Sequence, residues 1–145
     1  MNLHGTCVAI GGYGVLLRGP SGGGKSDLAL RLTDQYTDVI LVADDRVDVV
    51  ARDGAVYASP PQRIAGLLEV RGVGVVQMKY MNSVKLDLLV DLAGAQTIQR
   101  LPEPEYGEIL GVRLPRMALA PFEASAPAKL RRALHIIEAP EMDPS

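Results

Sequence analysis

The chain has no tryptophan, one phenylalanine and one cysteine in 145 residues. A lone thiol excludes a disulfide framework, and Cys7 sits in an apolar run, which suits a buried core thiol better than a nucleophile. Neither sign of charge is in excess. The formal net charge of −2 gives no electrostatic reason to expect a nucleic-acid partner. Long hydrophobic runs are missing as well. The N-terminal apolar stretch lacks a basic leader and is broken by Gly11, Gly12 and Gly14. Neither a signal peptide nor a membrane span is expected, and the cytoplasm is the expected location. Glycine and proline are plentiful, at 15 and 10 residues. Ordinary apolar and charged contents of 48% and 22% predict one globular domain over residues 1–145, frayed over about 139–145.

Eight consecutive residues carry the strongest signal. Gly19-Pro20-Ser21-Gly22-Gly23-Gly24-Lys25-Ser26 is a complete match to the phosphate-binding loop G-x-x-x-x-G-K-[ST]. Its glycines let successive backbone N–H groups curl around anionic oxygens, through dihedrals that side chains would forbid. Lys25 can reach terminal phosphates and the Ser26 hydroxyl can ligate Mg²⁺. An apolar run, 13–17, precedes the loop and a helix-period run, 26–36, follows it. The helix thus aims its positive dipole end at the phosphates.

Along the chain, residues 3–10 and 13–18 read as strands joined at Gly11-Gly12. In the helix after the loop, Leu28, Leu32 and Tyr36 share one face. Val39–Ala43 is a continuous apolar run, as expected of a central strand buried on both sides. Residues 47–51 and 55–58 flank Asp53-Gly54, a hairpin signal, and Pro60-Pro61 stops that hairpin. A glycine-punctuated segment covers 67–77, and a further strand covers 86–92. Prolines at 102, 104, 115, 121 and 127 predict loops around short strands over 94–127. Leu130, Leu134 and Ile137 mark an amphipathic helix opening near Pro127 and ending before Pro140. Its outer face carries Lys129, Arg131, Arg132 and His135, which reads as a solvated face or as a basic docking surface for an acidic partner.

Phosphate binding alone is not chemistry. Transfer needs a metal-organising acid and a group that activates the acceptor. Asp44 and Asp45, at the carboxyl end of the apolar run 39–43, are the candidates. Strand alternation sends their side chains to opposite faces, so they take different tasks, one toward metal and one toward acceptor. Arg46 and Asp48 follow and are spaced for a local ion pair. Asp91-Leu92-Ala93-Gly94 imitates the D-x-x-G switch of GTPases. The guanine-reading N/T-K-x-D sequence is absent, which excludes that reading.

Taken together, His4-Gly5, the loop 19–26, Ala43-Asp44-Asp45-Arg46-Val47-Asp48-Val49 and Leu67-Leu68-Glu69-Val70-Arg71-Gly72-Val73-Gly74-Val75 resemble the HPr kinase/phosphorylase family. The similarity covers roughly residues 3–100 closely and the remainder loosely. It implies an α/β fold with a P-loop core like the nucleotide domain of phosphoenolpyruvate carboxykinase, a mixed sheet and flanking helices. It also implies ATP- and Mg²⁺-dependent phosphorylation of a serine of HPr, the small phosphocarrier of the sugar phosphotransferase system, by a hexameric enzyme. Carried over by position, Asp45 matches the general base, His4 a catalytic histidine beside it, and Lys25 and Arg100 catalytic cations. Ser26 and Glu69 match metal ligands, with Asp44 a weaker candidate, and Arg71 would brace the phosphate site.

Three departures accompany the resemblance. Family members carry an extra N-terminal domain, and the shorter architecture here resembles alphaproteobacterial forms. The segment between Gln77 and Leu86 is shorter than usual. The late loop tied to phosphorolysis carries a Gly-Arg pair in the family, whereas residues 121–126 here hold Glu123 and no arginine. An acid there repels inorganic phosphate, so kinase activity is expected and phosphorolysis is not. A nucleotide-sensing module without turnover and a small-molecule P-loop kinase are the alternatives.

Overall fold

Three two-residue turns shape the sheet, each with both residues at positive φ, the geometry that matches the right-handed twist of paired strands. Gly11-Gly12 (φ 56° and 88°) joins β2 (Thr6–Ile10) to β3 (Tyr13–Arg18). Asp53-Gly54 (51° and 78°) joins β5 (Arg46–Arg52) to β6 (Ala55–Ser59). Leu110-Gly111 (50° and 79°) joins β10 (Glu105–Ile109) to β11 (Val112–Leu119). The computed structural model describes residues 1–138. The expected fraying of 139–145 lies outside those residues.

With β1 (Asn2–His4), β4 (Val39–Ala43) and β9 (Val84–Leu92), these strands form one mixed sheet of nine, in the order β1-β5-β6-β9-β3-β2-β4. The long β9 is the junction. β3 pairs with it in parallel along one edge, while β6 pairs near its start and β11 near its end. Gly14 permits this close pairing, because a Cβ there would collide with the Lys85 carbonyl oxygen. Strands β2, β3 and β4 and the middle of β9 are buried on both faces. Val15 and Leu17 of β3 face a core with the helices, and Leu16 between them faces a second core inside the curl of the sheet. That explains why the strands read as apolar runs instead of alternations.

Among the described residues there are two α-helices, α1 (Lys25–Gln35) and α2 (Ala126–Glu138). Leu28, Ala29 and Leu32 of α1 and Ala126, Leu130 and Leu134 of α2 fill the helix-side core. A separate hairpin, β7 (Leu67–Val70) with β8 (Gly74–Gln77), packs against α1 through Leu68.

Two expectations need correction. The strand Val39–Ala43 has the predicted bounds but ends the strand order instead of occupying its centre. Its outer edge is covered locally, where Met81 N–H donates to Leu41 O at 2.8 Å. Burial on both faces had suggested a central position, but α1 and the curl of the sheet supply that burial. The proline-rich segment 94–127 holds an eight-residue strand, β11, and not only short ones. Pro115 fits because the ladder to β9 begins at Arg116.

Candidate active site

The loop 19–24 leaves β3 and ends at Gly24, the N-cap of α1, with φ 94°. Gly22 also sits at positive φ, 78°. Gly23 N–H donates to Pro20 O at 2.9 Å, and a Cβ on Gly23 would lie 2.7 Å from that oxygen. These conformations are why the motif demands glycine. The Lys25 ammonium donates to the carbonyls of Gly19 (2.6 Å) and Pro20 (2.9 Å). One of its three N–H groups remains for a phosphate oxygen. Burial pushes the Lys25 pKa down, against the upward pull of Asp44 and then Asp45.

Asp44 and Asp45 lie just past the end of β4 and line the same cleft, so strand alternation does not separate them; the left-handed backbone at Asp45, with φ 68°, sets their different environments. Asp44 is buried and its carboxylate accepts from three donors: Thr6 Oγ (2.8 Å), Ser26 Oγ (2.8 and 3.0 Å to its two oxygens) and Glu69 N (3.3 Å). Asp45 lines the same cleft but is open to solvent, its side chain 72% exposed. Its φ of 68° is a left-handed conformation that carboxylate and carboxamide side chains tolerate better than most. β1 pairs with β5 in the register His4↔Arg46. That pairing brings the His4 imidazole Nε2 to 3.4 Å from Asp45 Oδ1.

These groups share one cleft of about 280 Å³. Its lining includes His4, Asp45, Glu69 and Arg71 together with Lys25 and Ser26, and Phe122 lies against the phosphate loop at Gly24. The donor set fits a hard cation. Ser26, Asp44 and Glu69 offer only oxygen, and no group of three acidic, histidine or cysteine side chains forms a ready-made cage among the described residues. Few protein ligands plus phosphate oxygens and water is the way Mg²⁺ is usually held.

The structure does not bring every candidate here. Arg100 is exposed in the loop after β9 and does not line the cleft. Asp48 accepts from Asn2 Nδ2 at 2.8 Å, and among the described residues it does not pair with Arg46. Asp91, the GTPase-like acid, lies outside the cleft and joins Arg18 (2.7 Å) to Arg116 (2.5 Å). Cys7 is fully buried, which pushes its thiol pKa well above the ordinary range. The basic face of α2 is partly neutralised, since Lys129 pairs with Glu123 and Arg131 with Asp38. No described helix is long and apolar enough to cross a membrane.

Sequence reasoning missed Thr6 and Phe122. Thr6 carried a faint signal, as a hydroxyl inside an apolar strand. Phe122 carried none locally, because its position depends on a turn remote from the loop it touches.

The family model described as HPr Serine kinase C-terminal domain matches residues 1–139. Among curated relatives, an HPr kinase/phosphorylase of Streptococcus thermophilus is 37% identical over 130 residues, covering 81% of this chain and 41% of the relative. One from Leptothrix cholodnii is 36% identical over 130 residues, with 81% and 39% covered. The chain therefore spans about two fifths of the length of these relatives. A solved structure titled the Hpr(Ser) kinase/phosphatase from Coxiella burnetii superposes with a TM-score of 0.82 at 22% identity, covering 93% of this chain and 94% of that one. That likeness concerns the fold, and it agrees with the mixed α/β architecture of a nucleotide-binding domain. The chain belongs to the HPr serine kinase C-terminal domain family.

Proposed function

We propose that the chain is the catalytic part of an ATP- and Mg²⁺-dependent kinase that phosphorylates a serine of the phosphocarrier HPr and so regulates the phosphotransferase system. The observation that carries this reading is the shared cleft, with a phosphate loop and its lysine beside an exposed carboxylate–imidazole pair. Asp45 accepts the serine proton as the serine oxygen bonds to the γ-phosphorus of ATP. The bond from that phosphorus to the β,γ-bridging oxygen breaks, and ADP leaves. His4, 3.4 Å away, orients the carboxylate. Lys25 stabilises charge on the transferring group, which a loose transition state requires. Ser26, Asp44 and Glu69 would hold Mg²⁺, which supplies charge neutralisation on the phosphates.

The exposure of Asp45 favours a protein acceptor over a small molecule. A small substrate needs an enclosing pocket, whereas a protein surface can itself shield an open base. The nearby loop 121–126 supports the forward direction. Among the described residues, the guanidinium bonded to it is that of Arg31 of α1, which donates to the carbonyls of Pro121 and Glu123 and is not offered to phosphate. The same reading takes from the family resemblance a cytoplasmic homo-oligomer, a hexamer.

The test uses labelled ATP, Mg²⁺ and HPr with wild type and Asp45→Asn. The wild type is expected to label a serine of HPr, and the variant to be slower by about 10²- to 10⁴-fold, the usual worth of a positioned base. Asparagine tolerates the left-handed backbone at 45, so the fold survives the change. Absence of label with the wild type overturns the kinase reading. Excess phosphate added to phosphoserine-HPr is expected to release little pyrophosphate, and brisk release overturns the assigned direction.

A further inference from the structure

The chain's one phenylalanine is not in its core. Phe122 is 70% exposed, in a chain whose aromatic content is only 4%. The ring lies against the phosphate loop. A Cβ added to Gly24 would be 3.0 Å from its Cζ, so the ring packs closely on the loop at this glycine. Nor is this loop left loose. Arg31 donates to the carbonyls on either side of Phe122, those of Pro121 and Glu123, and its Nε pairs with Asp27 at 3.0 Å. An exposed ring held in place beside a polyphosphate site is built for contact with something that comes and goes.

Its position says with what. Around α1, Ser26 turns toward Asp44 and the β7 side of the cleft, where Glu69 and the His4–Asp45 pair lie. Asp27 and Arg31 turn toward the opposite flank, where Phe122 sits. Phosphoryl transfer to an acceptor at Asp45 places the γ-phosphate at the first flank. The nucleotide then runs along the helix N-terminus, and its nucleoside end emerges at the second. We propose that Phe122 is the stacking platform for the nucleobase of the donor nucleoside triphosphate. The proposal rests on the kinase reading for the direction in which the nucleotide lies. Stacking on a flat ring tolerates any purine and needs no hydrogen-bond partner on the base.

Because the chain has no tryptophan, Phe122→Trp installs a single indole reporter at this point. Titration with ATP and, separately, with inorganic tripolyphosphate distinguishes base from phosphate. ATP and GTP are expected to quench the indole, and tripolyphosphate to bind in competition without quenching. Phe122→Ala is expected to weaken ATP binding by about tenfold, the scale of one lost base stack, with tripolyphosphate affinity unchanged. Equal loss of both ligands, or no loss of ATP affinity, overturns the proposal. Unchanged ATP affinity with a raised KM for HPr makes Phe122 an acceptor contact instead. These titrations need no turnover, so they stand apart from failure of the kinase assay, which would appear as absent phosphotransfer with nucleotide binding intact.

Discussion

The hydroxyl of Thr6 donates a 2.8 Å hydrogen bond to Asp44 Oδ1, with both side chains buried. Thr6 comes from β2, Ser26 from α1 and the Glu69 amide from β7, so three separate elements aim one carboxylate. Glu69 N–H and Thr6 Oγ would keep that aim if, as proposed, Ser26 turns its oxygen toward a cation.

Thr6→Val keeps the shape and deletes the donor. Stability is expected to fall by about 1–2 kcal/mol, the cost of a buried carboxylate losing one partner. A purely structural hydroxyl would stop there. If Thr6 positions Asp44, the Mg²⁺ concentration for half-maximal phosphotransfer rises severalfold as well, while Ser at position 6 restores it. An unchanged Mg²⁺ dependence would show that Thr6 only packs.

A second, partly buried acid, Asp91, sets a pH dependence. Burial alone would raise the Asp91 pKa, but hydrogen bonds from Arg18 and Arg116 hold its carboxyl below the usual range. A carboxyl depressed in the fold adds stability that is present above its unfolded pKa of about 3.9 and is lost as pH falls through the folded value. Asp91→Asn is expected to lose about 2–3 kcal/mol at pH 7, because two half-buried guanidiniums lose their shared partner. Urea unfolding at a series of pH values should show this difference shrinking below about pH 4. A difference that stays constant down to pH 2 would rule out the ionic origin.

Gly14 opens the parallel ladder between β3 and β9. Gly14→Ala puts a methyl group into the Lys85 carbonyl and strains the Gly14 N–H bond to Asp87 Oδ2, now 3.0 Å. A loss of at least about 2 kcal/mol in urea unfolding is expected, in the range of overpacked cores. A change under 0.5 kcal/mol would mean that the strands can part locally at this point.

The legible parts of the fold were those whose causes are local. The hairpin turns at 11–12 and 53–54 follow from residues that accept positive φ, and Val39–Ala43 from an unbroken apolar run. The phosphate loop followed from its motif, whereas the different environments of Asp44 and Asp45 come from a left-handed turn at Asp45 that strand alternation does not describe. The sheet order was not legible, since the unbroken apolar β4 ends the order while β9, which carries Lys85, Asp87 and Asp91, is its junction. In the site, Thr6 and Phe122 escaped notice because their partners, Asp44 and Gly24, lie far along the chain. The prolines misled in the opposite direction. Pro115 sits where β11 owes no bond to β9, a fact of register that sequence does not print.

The pairing of β3 with β9 also orders events in time. β2 and β3 meet across two residues, but the bond from Arg18 to Asp91 closes a gap of 73. Contacts between segments so distant pay a larger loop-closure entropy and form more slowly than hairpins. The phosphate loop hangs from the far end of β3, one residue past Arg18. It therefore gains its final anchor only when the chain has been made at least as far as β9. A growing polypeptide exposes all of the loop's residues long before it can hold a nucleotide in place.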